Sequence, residues 1–469
     1  MKHMKKGYFI YSISFFIILL VPLLAMPFYK NRSVTEKRIL SPLPRLIAEG
    51  NWNQNYLSEL GEYFSDRFAF RTEMVQVNAV IDSAVMRTSS EDKVILGKDG
   101  YLFYTDSVDF YRGKEIMDKR DRFATIRTLQ LIQEYAASQG AEFLFMIAPN
   151  KNTLYPEYMP DNYQKIDAIA EIDRIQTELI KAGVNYLDLK AVFQEEEEVL
   201  YHRLDSHWNN KGAALAAEKI FAKLGQIAPD YHTMPYHEEE DFTGDLYGML
   251  YPLGKKKDRN LYYDKTFRYQ YISDFKSVED ITIRTTNADK EKTAVIIRDS
   301  FGNSLLPFLA EEYQEACFMR ASPYKLDMIA DIQADIVMFE IVERHLDKIA
   351  ADAPVMPAPL RKFDEWKQEE CNTGQTMNTM ADERYLKITG NLLKNSFDTA
   401  SEIYVRLIAG EDTKVYEATP LNDAEAERCG YGLYIPLEDL KNTTYIIELL
   451  TQKDGVWITS GYIDKFTKG

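Results

Sequence analysis

Five short apolar runs, separated by segments with helical character, constrain this chain more than any other feature: Phe143 to Ala148, Val184 to Leu189, Ala294 to Ile297, Ala316 to Met319 and Ile336 to Ile341. A strand that is apolar at nearly every position is buried on both faces, as happens when helices cover both sides of a parallel sheet. The intervening segments supply such helices. Arg120 to Ser138 gathers Phe123, Ile126, Leu129, Ile132 and Tyr135 on one side and closes at Gly140. Asp167 to Ala182 and the alanine-rich Lys211 to Leu224 follow. The pattern predicts an α/β fold built on a doubly wound parallel sheet. An insertion over 229–289, rich in tyrosine and mixed charge, interrupts it and is expected to form a lid or a rim.

The flanks have a different character. Gly7 to Tyr29 contains no charged residue, is long enough to span a bilayer, and follows Lys2, Lys5 and Lys6. A signal peptide is the competing reading, but the run is long for one and Leu24-Ala25-Met26 is a poor small-residue cleavage site. Residues 1–30 are therefore expected to be a single-pass membrane anchor with the long remainder extracellular or periplasmic. Lys30, Arg32, Lys37 and Arg38 follow the span and weaken the charge bias that sets this orientation. Residues 31–52 are assigned as a linker. Asn53 to Ser83 has helical spacing with a break near Asp66-Arg67, and Lys98-Asp99-Gly100 marks a turn into Tyr101-Leu-Phe-Tyr104. The α/β domain is placed over 53–370. Beyond it, six alternating or β-branched runs between Tyr385 and Tyr462 predict a small all-β sandwich over 375–469, with either a carbohydrate-binding or a purely structural role.

At 469 residues the chain is long for one core. Its net charge of −17, from 56 basic and 73 acidic residues, argues against nucleic acid as a partner. Three cysteines, Cys317, Cys371 and Cys429, make no disulfide framework and match no zinc spacing.

The residues able to carry chemistry fall at strand ends. Ala294 to Ile297 stops at Arg298-Asp-Ser300, and Gly302-Asn-Ser304 opens a helical segment. A serine on such a turn lies at the carboxyl edge of the sheet, where open α/β folds place their sites. The same Asp-Ser also fits a plain helix cap. In His202-Arg-Leu-Asp-Ser-His207-Trp208, Asp205 and His207 stand two apart in a loop before a helix. A carboxylate at that spacing can hold the imidazole that takes a serine proton, and a capped turn with a packed loop histidine fits equally. His202, Asp205 and His207 could also ligate zinc, but the spacing fixes no coordination geometry and no metal site is assigned. Asn150 and Lys151 leave the end of one strand and Arg344 the end of another, as oxyanion donors or substrate contacts, or as ordinary turn residues. Arg298, beside the serine, joins them as a candidate that shapes the pocket.

Several motifs together resemble a known family. Asp205-Ser-His-Trp208 followed by Asn-Asn-Lys-Gly-Ala is similar to the Asp-x-His-Trp motif of the alginate O-acetyltransferases and the related DHHW-family proteins. Glu62-Tyr-Phe-Ser-Asp-Arg-Phe-Ala-Phe-Arg71, Gly97-Lys-Asp-Gly-Tyr-Leu-Phe103 and Ile147-Ala-Pro-Asn-Lys-Asn-Thr-Leu-Tyr-Pro156 resemble three further blocks. Ile296-Ile-Arg-Asp-Ser-Phe301 falls where that family carries its serine, and Val337-Met-Phe-Glu-Ile-Val-Glu-Arg344 resembles the closing block. The resemblance covers about residues 50 to 350 and leaves the tail out.

The resemblance implies an SGNH-hydrolase-like (flavodoxin-like) fold and a Ser-His-Asp triad in the chain order Asp-x-His before Ser. Ser300 would be the nucleophile, His207 the general base and acid, and Asp205 its orienter, with no cofactor. Arg298-Asp299 departs from the small residues common before the family's serine. The implied activity is O-acetylation of a cell-surface or secreted polysaccharide, with a membrane-bound O-acyltransferase supplying acetyl. Two alternatives stay open: a glycan O-acetyl esterase with the same triad, and a non-catalytic glycan-binding or assembly protein.

Overall fold

The computed structural model describes residues 2–26, 28, 41–48, 51–114, 116–227, 229–362, 367–371, 376–422 and 428–468. Much of the segment assigned as a linker, and Lys30, Arg32, Lys37 and Arg38, lie outside the described residues. The chain divides into two compact units.

The first unit comprises Met1–Thr105, Arg203–Ser206 and Glu240–Arg259. Its leading helix runs Lys2–Ala25, and within it Tyr8–Ala25, with a mean hydropathy of 2.3, is long and apolar enough to cross a membrane. Two further helices, Tyr56–Arg67 and Arg71–Ile81, are separated where Phe70 takes a left-handed φ of 60°. The break expected near Asp66-Arg67 is therefore a backbone reversal that no β-carbon-bearing residue adopts cheaply. Val94–Leu96 and Leu102–Tyr104 form a hairpin, turned through Asp99 (φ 53°) and Gly100 (φ 77°). A small core of Ala79, Val94, Leu102, Leu204, Leu246 and Leu250 closes the unit. Arg203–Ser206 is held in this unit by main-chain bonds: Leu102 N donates to Arg203 O (2.9 Å) and Tyr247 N to Leu204 O (3.1 Å). The approach is so close that a β-carbon on Gly244 would lie 2.2 Å from Leu204 O, so only glycine fits there.

The second unit comprises Asp106–His202, His207–Glu239 and Asn260–Gly469. Its first layer is a seven-stranded sheet, with strands numbered here in chain order: β1 (Glu142–Ala148), β2 (Tyr186–Leu187), β3 (Gln270–Tyr271), β4 (Thr282–Thr286), β5 (Thr293–Ile297), β6 (Glu315–Met319) and β7 (Ile336–Val342). The spatial order is β2-β1-β7-β5-β6-β4-β3. Strands β2, β1, β7, β5 and β6 are mutually parallel, matching the five apolar runs. The wholly parallel sheet expected from sequence needs correcting, because β4 and β3 add an antiparallel edge. Both come from the stretch expected to be a lid or rim. Only alternate residues of β4 are buried, Ile283 and Thr285, the pattern of a strand with one face packed and one exposed.

The pleat sends alternate side chains to opposite faces, and each face meets its own helices. Leu144, Met146, Ile296, Phe318 and Met338 pack under α3 (Asn210–Lys223) and α4 (Gly302–Glu312). Phe143, Phe145, Val295, Ile297, Val337 and Phe339 pack under α1 (Lys119–Ser138) and α2 (Glu171–Lys181). Helix α1 starts from a reciprocal capping box, Asp118 with Asp121. Helix α2 begins four residues later than its expected start at Asp167, and only Tyr186–Leu187 of the second apolar run pairs as a strand.

The tail is a separate, mostly strand structure: β8 (Leu360–Arg361), β9 (Lys367–Cys371), β10 (Thr376–Ala381), β11 (Tyr385–Leu393), β12 (Ile403–Ala409), β13 (Asp412–Leu421), β14 (Arg428–Pro436), β15 (Thr444–Lys453) and β16 (Val456–Thr467). Here the expected two-layer sandwich is replaced by one continuous, barrel-like nine-stranded sheet. Strand β13 makes the difference. Its first part pairs with β12 and its last residues, Thr419–Leu421, pair with β14, so one strand carries the ladder around the corner. Glu417 on this strand is buried and held by Arg127 of α1 (2.6 and 2.8 Å) and by Arg361 (2.7 Å), which joins the tail to the α/β layer.

Candidate active site

The chain leaves β5 at Ile297 and enters α4 at Gly302, so residues 298–301 form a tight turn at the carboxyl edge of the sheet. Ser300 is half-buried on this turn. Its Oγ lies 2.8 Å from His207 Nε2, within hydrogen-bonding distance. A long loop delivers the imidazole. Tyr201 and Trp208 form an antiparallel bridge, His202 N donates to His207 O (3.2 Å), and Asn209 then caps α3 by accepting from Gly212 N (2.9 Å).

Trp208 fixes the loop to the serine turn. Its indole is fully buried, stacks on Phe193 (5.8 Å, 11°), meets Phe301 edge-on (5.1 Å) and donates from Nε1 to Phe301 O (3.1 Å). Phe301 also lies under the His207 ring at 4.7 Å. One aromatic cluster therefore sets both the histidine and the residue following the serine.

Asp205 belongs to the first unit. There it is buried, and its Oδ2 accepts the Asp245 N–H (2.7 Å). Asp245 in turn accepts from Ser206 N (2.9 Å) and Ser206 Oγ (2.7 Å).

The other candidates have definite partners. Asn150, at the end of β1, is buried; its N–H donates to Glu343 Oε2 (2.9 Å) and its Oδ1 accepts from Arg344 Nη1 (3.4 Å). Among the described residues its Nδ2 has no protein acceptor. The Arg344 guanidinium also lies over the Phe301 ring at 5.4 Å, so one side chain touches both Asn150 and the residue beside Ser300. Lys151 is buried and donates from Nζ to His202 O (3.0 Å), tying the end of β1 to the histidine loop.

Arg298 points elsewhere. It donates to Val278 O (2.8 Å) and to the Asn303 side chain, and so fastens the loop before β4 to the serine turn. Burial pulls its pKa down to about 10. A β-carbon on Gly302 would sit 2.6 Å from Arg298 Cβ, which explains a glycine at the first position of α4.

Of the acidic residues near the serine, the sequence marks Asp299 only as a departure from the family pattern and does not single out Glu340. The Asp299 carboxylate accepts from Phe301 N (2.8 Å), Val342 N (2.8 Å) and His345 Nδ1 (3.4 Å). Burial opposes its charge, but the hydrogen bonds from His345, Val342 and Phe301 outweigh that and hold its pKa below the usual range. Glu340, on β7, is buried and accepts from Asp299 N (3.3 Å). Burial, with the Asp299 charge beside it, pushes its pKa well up. Glu343 is likewise buried, accepts from Asn150 N and Thr153 Oγ1 (2.7 Å), and is driven by burial to a pKa of about 7. The available signal was an acidic residue inside an otherwise apolar strand: Glu340 interrupts Ile336–Val342, and a charge there is expensive unless it has a purpose.

A serine within hydrogen-bonding distance of a histidine, at the carboxyl edge of the parallel strands, is the arrangement that serine-dependent acyl transfer requires. Residues 94–302 match the family described as SGNH hydrolase-like domain, acetyltransferase AlgX. The probable alginate O-acetylase AlgJ of Pseudomonas syringae pv. tomato is 27% identical over 185 residues, covering 39% of this chain and 45% of that protein. The protein of the same name from Pseudomonas aeruginosa is 24% identical over 168 residues, covering 34% and 41%. The chain thus spans less than half the length of either relative. A crystal structure of a DHHW family protein from Eubacterium siraeum is 19% identical, with a TM-score of 0.41, covering 56% of this chain and 99% of that one.

Proposed function

We propose that the protein is an extracytoplasmic, membrane-anchored O-acetyltransferase that esterifies hydroxyl groups of a cell-surface or secreted polysaccharide. The single observation carrying this reading is the 2.8 Å pairing of His207 Nε2 with Ser300 Oγ on the strand-to-helix turn. The family match over 94–302 supports acetyl as the group transferred, and the apolar helix Tyr8–Ala25 supports an anchor.

In the first half-reaction His207 Nε2 takes the Ser300 proton as Oγ attacks the donor's acetyl carbonyl. Asp205, two residues earlier in the chain, orients the imidazole and stabilises its charge. The tetrahedral oxyanion is met by the Ser300 N–H and by Asn150 Nδ2, neither of which has a protein acceptor among the described residues. Collapse expels the donor's leaving group, which receives the proton from His207, and leaves acetyl on Ser300. In the second half-reaction a sugar hydroxyl gives its proton to His207 and attacks the ester. The sugar departs acetylated, and Ser300 Oγ recovers the proton. A membrane-bound O-acyltransferase supplies the acetyl group, and no cofactor enters either step. The barrel-like tail is proposed as a carbohydrate-binding domain beside a catalytic domain ending near residue 370.

The test is incubation of the purified protein with a chromogenic acetyl ester, with and without oligosaccharide acceptors. Acetylated sugar is expected. Acetate release at the same rate whatever the acceptor would make the protein an esterase. Equal turnover by wild type and a folded Ser300→Ala variant would remove the triad altogether.

A further inference from the structure

The turn that presents Ser300 carries four consecutive backbone N–H groups, from residues 299 to 302, and two carboxyl groups take three of them. Asp299 N donates to Glu340 Oε2 (3.3 Å), Phe301 N donates to Asp299 Oδ1 (2.8 Å), and the Gly302 N–H points at the Glu340 carboxyl. Only the Ser300 N–H has no acceptor among the described residues. Asp299 is itself fixed to β7 by Val342 N (2.8 Å) and to the segment after it by His345 Nδ1 (3.4 Å).

Glu340 is the unexpected member. It is 1% exposed, on the inner strand β7, with one oxygen bonded to the turn and Oε1 without a partner among the described residues. The charged and titratable groups around it are Asp299 and Arg298 on the serine turn and Tyr201 on the histidine loop. A buried polar atom without a hydrogen-bond partner costs free energy and calls for an explanation. Resting on the acyl-transfer reading above, we infer that Glu340 is a positioning residue that anchors the serine turn from beneath, so that of the turn's four amides only the Ser300 N–H is presented to the tetrahedral oxyanion.

The geometry gives this inference chemical content. Were the turn free to rotate, the 299, 300 and 302 amides would compete to face the pocket. Glu340 consumes two of the competitors, and Asp299 consumes the amide at 301. The anchor acts as an acceptor and needs no negative charge: burial, with the Asp299 charge beside it, raises the Glu340 pKa and so favours the neutral carboxyl. A neutral acceptor behind an oxyanion hole also avoids placing a second negative charge against the developing one.

The experiment compares Glu340→Gln and Glu340→Met in the full-length chain, with Ser300→Ala as the reference for loss of chemistry. Glutamine keeps a neutral acceptor, and methionine keeps the length without one. We expect Glu340→Met to lower kcat by about 100-fold, the cost of an oxyanion donor, with KM within about twofold, and Glu340→Gln to stay within about threefold of wild type. Hydrogen exchange read on the peptide containing 299–302 is expected to quicken in Glu340→Met and not in Glu340→Gln. That readout does not depend on activity. Unchanged exchange and unchanged kcat in a folded Glu340→Met variant would overturn the inference and leave the Ser300 assignment standing. Equal damage by glutamine and methionine would also overturn it. Inactive wild type that acquires no acetyl on Ser300 would instead remove the acyl-transfer reading, and the exchange data would then decide the anchoring alone.

Discussion

Replacing Trp208 with phenylalanine isolates the contact that holds base and nucleophile in register. The substitution keeps an aromatic ring against Phe193 and Phe301 but removes the donation from Nε1 to Phe301 O at 3.1 Å. The indole is completely buried, so the lost bond costs about 1 kcal/mol net. The smaller ring leaves a void worth roughly a further 1–3 kcal/mol. That is tolerable in a core of this size and should appear as a lower melting temperature. The effect on turnover should be disproportionate. Trp208 directly follows His207, and Phe301 directly follows Ser300, so the broken bond frees both sides of the 2.8 Å His207–Ser300 pair. A displacement of about 1 Å at such a pair can cost on the order of 100-fold. The assay is hydrolysis of a chromogenic acetyl ester alongside thermal melts. We expect kcat to fall by about 10- to 100-fold at a temperature where the variant is fully folded. A variant that melts earlier yet keeps wild-type kcat would refute the reasoning and reduce the indole to core filling.

Glu417→Gln should destabilise the protein by about 3 kcal/mol, because the buried carboxylate that pairs with Arg127 and Arg361 is neutralised and the two guanidiniums are left to share Glu134. Urea unfolding would read that loss, with ester turnover of the folded fraction unchanged. Glu343 predicts a pH dependence of stability. Burial lifts its folded pKa to about 7, above the ordinary carboxylate value, so the folded state holds its proton longer than the unfolded chain does. Its contribution is therefore full below about pH 4.5 and is lost as pH rises to about 7. Glu343→Gln should remove that decline, and parallel urea curves for wild type and variant at pH 5 and pH 8 would show the gap between them shift in favour of the variant at pH 8.

The parallel part of the fold was legible because buried parallel strands are apolar throughout. β1, β5, β6 and β7 each stand out as continuous runs such as Ala294 to Ile297. Strand β4 was not, since a strand with one buried face alternates, and Thr282-Ile-Arg-Thr-Thr286 looks like loop sequence. In the tail the strand pattern was visible but its closure was not. Whether two sheets stack or one wraps depends on β13 pairing with β12 and then with β14, a long-range choice that no local pattern encodes. At the site, Ser300 and His207 were named from their turns, and the structure brings them together. The roles of Arg298 and Asp299 were opaque because each is defined by partners far away in the chain, Val278 for one and Val342 with His345 for the other. Glu340 was hidden in a block read for its apolar neighbours.

The central claim is that Ser300 carries the acetyl group between donor and sugar. Rapid acid quench during turnover of an acetyl ester, followed by peptide mass spectrometry, tests it most directly. The account predicts one acetyl on the peptide containing Ser300, absent from Ser300→Ala and scarce in His207→Ala. Acetyl on another residue, or undiminished sugar acetylation by a folded Ser300→Ala variant, would contradict it.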